Sequence, residues 1–161
     1  MNMGLDGKLA LVTASYVVAD MSKEDDLKGA ADGINDIGRV DIFFFFSTGG
    51  PKPGYFMETG MADWHEAASI LLYPAVYLTK SVLPAMMENG WERIIYSTSV
   101  AIRGGKSMEE ALEEYAESLP AGRLGTADEI GYLAAFLSSE NAAYINGAMI
   151  PVDGGRLDSV F

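Results

Sequence analysis

The sequence predicts an α/β fold in which a parallel sheet is flanked by helices, and two observations support this prediction. The first is a nearly unbroken apolar run, Val40 and then Ile42–Phe46, which indicates a strand covered on both faces. The second is the alternation of short apolar runs with longer segments of helical periodicity, which is typical of βαβ units in a parallel sheet.

A candidate ligand site follows this central strand. The apolar run breaks into Ser47, Thr48, Gly49 and Gly50, and glycines let the backbone turn sharply and approach another group closely. In open α/β sheets, ligands bind at the carboxyl ends of the strands. The stretch alone is equally compatible with a core strand followed by an ordinary turn, so both interpretations stay open at this point.

Composition narrows the class of protein. The chain has 161 residues, 49% hydrophobic and 21% charged, and we expect residues 1–161 to form a single domain. It has no cysteine and one histidine, His65, so thiolate and histidine-rich metal sites are excluded and no metal is expected. A net charge of −12 opposes binding to nucleic acid or to an anionic membrane.

We also expect a cytoplasmic protein. No apolar run approaches the roughly 18 residues of a membrane span. The first residues, MNMGLDGK, lack the layout of a signal peptide.

The first half of the chain predicts strands on either side of a helix. Two short apolar segments, residues 8–13 and 16–19, are predicted to be strands. The next segment is predicted to be a helix with Ser22 as its N-cap and Asp25 near the positive end of its dipole. Its apolar side consists of residues at helical spacing: Leu27, Ala30, Ala31, Ile34 and Ile37. The helix leads into the central strand, which makes a βαβ unit.

A long helix is predicted over residues 61–88, with a stop at Asn89 and Gly90 and a further strand over residues 93–97. One side of the helix is apolar: Trp64, Ala67, Ala68, Leu71, Leu72, Ala75, Leu78, Val82 and Met86. Pro74 lies inside this pattern and should kink or divide the helix.

The last third predicts two helices and a strand. Ser107 caps the first helix, whose glutamate-rich side is typical of a solvated face. Thr126 and Glu129 form a capping box for the second, over residues 127–137. Residues 148–152 predict a last short strand near a sheet edge.

Two joins do not fit this pattern. Only Ala14 and Ser15 separate the first two predicted strands, whereas parallel neighbours need a crossover of about a dozen residues. Around residues 104–106 the chain passes directly into an amphipathic helix, where an α/β sheet would continue through further elements. We therefore expect that segments are missing near residues 15/16 and 104/106.

Five stretches, in order along the chain, resemble the short-chain dehydrogenase/reductase family of single-domain oxidoreductases. The family's first strand is matched by GKLALVTAS, its adenine-contacting strand end by VVADMSKEDDL, and its D-I-L-V-N-N-A-G strand by VDIFFFFSTGG. Its I-V-N-I-S-S strand is matched by IIYSTS. The longest match is GRLGTADEIGYLAAFLSSENAAYINGAMIPVDGG, which resembles the family's C-terminal segment. The resemblance implies a Rossmann-like, doubly wound parallel sheet, incomplete in this chain.

The resemblance also implies a function. It implies NAD or NADP as cofactor, hydride transfer to or from a small carbonyl or alcohol substrate, and a homo-oligomer, either a dimer or a tetramer. Ser99 matches the catalytic serine that holds the substrate oxygen. The implied cofactor-binding residues are Thr13, Ser15, Asp20, Met21, Phe46, Ser47, Thr48 and Gly49.

Several family features are absent from the sequence. There is no Gly-x-x-x-Gly-x-Gly phosphate loop, and no tyrosine is followed four residues later by lysine. Phe46 and Ser47 replace the family's asparagine pair, and Leu71 replaces its helix asparagine. Two alternatives therefore stay open: a dinucleotide-binding relative without the chemistry, and a shortened oligomerising protein that uses IPVDGGRLDSVF as contact surface.

Overall fold

The computed structural model describes residues 3, 8, 10–12, 19–47, 56–99 and 107–157 of the chain. The backbone divides into two compact units. The sheet unit is Asp6–Ser99, and the C-terminal unit combines Met1–Leu5 with Val100–Phe161. The single domain expected over residues 1–161 stays a prediction. Both irregular joins fall outside the described residues.

The sheet unit contains a three-stranded parallel sheet. Its strands are β1 (Ala10–Val12), β2 (Ile42–Phe46) and β3 (Arg93–Ser97), in the spatial order β1-β2-β3. The predicted parallel sheet is therefore confirmed, with the apolar run as its middle strand. Of the predicted strand over residues 16–19, residues 16–18 lie outside the described residues, and Ala19 is not in a strand.

Helix α1 (Glu24–Ile37) connects β1 to β2 and ends at Gly38, whose φ of 89° favours glycine. The prediction of Ser22 as N-cap is wrong, because the N-cap is Lys23 and makes no side-chain capping bond. Ser22 instead donates its hydroxyl and its backbone N–H to the Asp20 carboxylate. Asp25 lies in the first turn, as predicted.

The long predicted helix is divided in the structure. Helix α2 (Met61–Ala67) passes through a π turn (Ala68–Leu72) into α3 (Tyr73–Asn89), and Gly90 ends α3 in the left-handed conformation. Pro74 lies in the first turn of α3, so the predicted division at this proline is confirmed.

The apolar stripe predicted along this helix is only half correct. Leu78, Val82 and Met86 are buried, whereas Trp64 and Leu71 are 52% and 43% exposed. A π turn takes up one extra residue, which rotates the residues before it by about 100° relative to those after it. The N-terminal half of the stripe therefore points away from the core that α3 covers.

The core of the sheet unit lies on one face of β2. Because side chains alternate along a strand, Phe43 and Phe45 share this face, and both are buried. They pack in one cluster with apolar residues of α1 and α3: Leu27, Ala30, Ala31, Ile34, Leu78, Val82 and Met86. The periodicities read from the sequence thus bring two helices onto this face of the strand.

The segment Met61–Asn89 is also long and apolar enough to cross a membrane, with a mean hydropathy of 1.4 and 22% of its window buried. This finding runs against the expectation that no segment approaches a membrane span. It is weak support for a span, because the core helix of a soluble protein passes the same test, and the α3 half supplies core residues here.

The C-terminal unit contains α4 (Met108–Ser118) and α5 (Ala127–Leu137). The predicted caps are confirmed, because Ser107 accepts from the Glu110 N–H and Thr126 accepts from the Glu129 N–H. The strand predicted over residues 148–152 is wrong. Its residues are exposed, and among the described residues of this unit no strand offers the ladder that a strand requires.

Candidate functional site

The candidate site lies at the carboxyl end of the parallel sheet. Phe46 pairs with Ser97 in the register of β2 and β3, so these two strands end level. Ser47 follows β2, and Thr98 and Ser99 follow β3. Neighbouring strands lie about 4.8 Å apart, so the structure brings Phe46, Ser47 and Ser99 to one edge of the sheet.

The described side chains at this edge, those of Phe46, Ser47, Thr98 and Ser99, are uncharged. Phe46 is 46% exposed, which leaves much of its ring open to solvent. Thr98 and Ser99 are exposed as well, and each hydroxyl can both donate and accept a hydrogen bond. An aromatic ring beside hydroxyls suits a sugar or a heteroaromatic ring, which need packing and neutral hydrogen bonds, better than it suits a charged group.

Ser47 is already engaged within the protein. Its hydroxyl donates to the carbonyl of Ile70 at 3.0 Å, in a partly buried position. Ile70 lies in the π turn between α2 and α3. The hydroxyl proton is used by this bond, so the Ser47 hydroxyl can offer a bound molecule only an acceptor.

Asp20 and Met21 lie in the turn that precedes α1. Oδ1 of Asp20 accepts the Ser22 hydroxyl at 2.6 Å and the Ser22 N–H at 3.1 Å, and Oδ2 is 3.1 Å from Nζ of Lys23. These contacts, the Ser22 hydroxyl first, lower the pKa of Asp20 to about 2. Met21 packs against the core cluster. Asp20 is thus an ionised residue that holds its own turn, and an adenine contact for it stays a prediction.

Four predicted cofactor-binding residues, Thr13, Ser15, Thr48 and Gly49, lie outside the described residues. The described residues contain no group of three or more His, Asp or Glu side chains that could hold a metal ion.

Sequence analysis missed one polar chain beside the site. Thr79 donates to the carbonyl of Ala75 at 2.6 Å and is also bonded to the hydroxyl of Tyr96. A threonine hydroxyl has one proton, so Tyr96 is the donor to Thr79. This chain ties β3 to α3, and only tertiary structure could have revealed it, because the two side chains are far apart in sequence.

The helix contact of Ser47 was missed for the same reason, although the sequence holds part of its signal. Pro74 follows Ile70 by four residues, and a proline cannot donate to the carbonyl four positions before it. The position of a carbonyl without its helical donor could therefore have been inferred, but the residue that bonds to it could not.

Comparison with known proteins identifies the family. The family model described as short chain dehydrogenase matches residues 7–116, and the model described as enoyl-(acyl carrier protein) reductase matches residues 98–156. A 3-oxoacyl-[acyl-carrier-protein] reductase of Aquifex aeolicus is 26% identical over 191 positions, which cover 89% of this chain and 77% of that protein. The alignment is longer than the chain itself, so this relative contains internal stretches that have no counterpart here.

Other curated relatives match over shorter regions. A probable 2,4-dienoyl-CoA reductase of Bacillus subtilis is 54% identical over 48 residues, which cover 30% of this chain and 19% of that protein. An L-2,3-butanediol dehydrogenase of Corynebacterium glutamicum is 32% identical over 93 residues, which cover 57% of this chain and 35% of that protein. The chain therefore spans only about a fifth to a third of the length of these two relatives.

Solved structures confirm the predicted Rossmann-like fold. YwfH, an NADPH-dependent reductase, superposes with a TM-score of 0.74 at 23% identity, over 88% of this chain and 77% of that one. L-sorbose reductase from Gluconobacter frateurii superposes with a TM-score of 0.76 at 18% identity, over 89% and 77%. With the family model covering residues 7–116, the chain belongs to the short-chain dehydrogenase family.

Proposed function

We propose that the protein is an oxidoreductase that transfers hydride between the nicotinamide of NAD or NADP and the carbonyl or alcohol carbon of a small molecule. The observation that carries this proposal is that β2 and β3 end at the same height in the sheet. The exposed ring of Phe46 and the exposed hydroxyls of Thr98 and Ser99 therefore lie at one edge of it. The relatives support it, because those named above are reductases and dehydrogenases.

The residues at this edge fit part of such a cofactor. The exposed ring of Phe46 and the acceptor oxygen of Ser47 suit a ribose and its attached ring. The exposed hydroxyl of Ser99 would hold the substrate oxygen. When bound, the dinucleotide supplies or takes the hydride. The pyrophosphate would need backbone N–H groups such as those of a glycine-rich loop, and the family's Gly-x-x-x-Gly-x-Gly spacing is absent from the sequence.

The proton transfer that accompanies hydride transfer lacks its usual groups in this sequence. A free phenol has a pKa near 10 and needs a neighbouring cation to act near neutral pH. No tyrosine here has a lysine four residues later. This absence is the ground for a second candidate function, a relative that binds the dinucleotide without turnover. The relatives named above, which are reductases and dehydrogenases, support the first.

We further propose a cytoplasmic homo-oligomer, either a dimer or a tetramer, with no nucleic-acid or membrane partner. The support for association is the apolar surface that the helical segment leaves uncovered, and the net charge of −12 opposes binding to nucleic acid or to an anionic membrane. The large apolar side chains at least 37% exposed on this segment are Met61, Trp64, Leu71, Leu72, Tyr73, Val76, Tyr77 and Met87. Association of two copies would remove such a surface from water.

A fluorescence titration with NADPH and with NADH tests cofactor binding on the intact chain. Binding should enhance and blue-shift nicotinamide emission, and Phe46→Ala should weaken binding about threefold to tenfold through lost ring contact. Ser81→Ala is the matched control. Its hydroxyl bonds only within α3, to the carbonyl of Tyr77, so it should leave binding unchanged.

A second assay follows NADPH consumption with a panel of small ketones. Turnover that falls about a hundredfold in Ser99→Ala, with cofactor binding intact, supports hydride transfer. Binding without turnover would establish the second candidate. If neither nucleotide changes its emission at millimolar concentration, both candidates are refuted.

A further inference from the structure

We propose that Ser47 and Pro74 form a positioning pair, in which the Ser47 hydroxyl supplies the hydrogen bond that proline withholds from the helix. The pair holds the π turn against the carboxyl end of β2, and its role in the site rests on the proposed function. Neither residue needs to touch the reacting atoms, so each is a positioning residue.

The helix creates the need for this bond. In an α-helix the N–H of residue 74 would donate to the carbonyl of residue 70, but proline has no N–H and its ring crowds that carbonyl. The backbone widens there into the π turn, in which the Tyr73 N–H reaches the Ala68 carbonyl five residues back. The α-helical donor for the Ile70 carbonyl is therefore missing.

The strand supplies the missing donor. Ser47 directly follows Phe46, the last residue of β2, and its Oγ lies 3.0 Å from the Ile70 carbonyl oxygen in a partly buried position. A carbonyl withdrawn from water without a donor costs free energy comparable to a lost hydrogen bond. The bond therefore stabilises the π turn and ties it to the sheet edge that carries Phe46.

The pair also sets which groups Ser47 can recognise. Its hydroxyl proton is donated to the carbonyl of Ile70, so a bound molecule must present a donor to the Ser47 hydroxyl. A ribose hydroxyl can do this, whereas a phosphate oxygen cannot. The hydroxyl of Ser47 thus favours a sugar hydroxyl over a phosphate oxygen at this point of the edge.

Other serine-to-carbonyl bonds in this helical segment lack this feature. Ser69 bonds the carbonyl of Glu66, and Ser81 bonds the carbonyl of Tyr77. Both bonds are exposed and local to the helix. Of these three described serine bonds, that of Ser47 alone joins the helix to the sheet, at a carbonyl that a proline has deprived of its helical donor. Ser81→Ala is therefore a matched control.

A double-mutant cycle tests the pair with Ser47→Ala, Pro74→Ala and the combined variant, together with Ser47→Thr. Urea unfolding followed by tryptophan fluorescence gives the folding equilibrium constant, and NADPH emission gives the dissociation constant. Ser47→Ala should lower the folding constant about tenfold and weaken NADPH binding severalfold. Ser47→Thr, which keeps a hydroxyl, should restore both.

The decisive comparison uses the Pro74→Ala background, where residue 74 has an N–H for the Ile70 carbonyl. There, Ser47→Ala should change the folding constant less than twofold. Equal effects in the two backgrounds would overturn the pair, because the hydroxyl would not be replacing the proline's missing donor.

The two readouts separate this inference from the proposed function. A coupled folding cycle without any NADPH binding would refute the proposed function and leave the Ser47–Pro74 bond standing as a structural contact. NADPH binding that is equal in all variants would overturn the positioning role. If Ser47→Ala weakens NADPH binding and the added Pro74→Ala restores it, both the proposed function and the positioning role are supported.

Discussion

Replacing Phe43 by alanine tests whether the face of β2 that meets α1 and α3 holds the sheet unit together. Phe43 is fully buried, and its ring lies 6.2 Å from that of Phe45, centroid to centroid. Truncation of a buried phenylalanine removes its transfer free energy and leaves a cavity, so we expect a loss of about 3–5 kcal/mol in the free energy of unfolding. That is a large share of the ~5–15 kcal/mol that stabilises a typical domain.

The strand offers its own control. Phe46 is the same residue type in the same strand, but it is 46% exposed, so Phe46→Ala should cost only about 1 kcal/mol. Urea unfolding measured by tryptophan fluorescence reports on this unit alone, because both tryptophans, Trp64 and Trp91, lie within Asp6–Ser99. With a slope of about 2 kcal/mol per molar urea, a loss of ~4 kcal/mol lowers the midpoint by about 2 M for Phe43→Ala. Equal midpoint shifts for the two variants would refute the assignment of the core to this face.

Three further predictions concern the backbone and the surface. Gly90→Ala should destabilise the sheet unit by about 1–2 kcal/mol, because φ is 64° there. Gly29→Ala should stabilise it by up to about 1 kcal/mol, because an added Cβ within α1 would meet open space. Urea midpoints that move in the same direction for the two variants would contradict this. Glu129, whose pKa is lowered to about 2 by Arg123 and then by the Thr126 N–H, contributes stability above its ordinary pKa of 4.5, and this stability is lost as pH falls from about 4.5 toward 2. A carboxyl NMR titration should give Glu129 a pKa near 2 that rises in Arg123→Gln, and an unchanged value would count against the ion pair. Thr126→Ala should cost about 1 kcal/mol and reduce helicity by circular dichroism, because α5 loses its N-cap.

Local signals in the sequence predicted the framework of the fold. The apolar run of β2 and the helical spacing of Leu27 and Ile34 in α1 are patterns that burial imposes directly on the sequence. The caps at Ser107 and Thr126 were also predicted correctly, because a capping bond joins residues only three positions apart and so depends on local sequence.

The failures involve partners that the local sequence does not contain. The segment 148–152 has the composition of a strand, but a strand forms only beside another strand, and the described residues of its unit contain none. Trp64 and Leu71 do not lie on the buried stripe, because Pro74 indicates a division of the helix but not the extra residue by which the π turn rotates the residues before it. At the site, the positions of Ser47 and Ser99 followed from strand ends, whereas the bond from Ser47 to Ile70 spans 23 residues and needed the tertiary structure.

The π turn has a consequence for how this chain tolerates changes of length. The turn sets the rotation of α2 about the helix axis relative to α3. Deleting one residue within Ala68–Leu72 would therefore turn α2 by about 100° about its axis while α3 stayed in place. The side chains that α2 now shows to water would then swing toward new neighbours, even though no residue outside the turn had changed. Insertions and deletions in this part of the chain should therefore be much less tolerated at the turn than in the loops at either end of the helical segment.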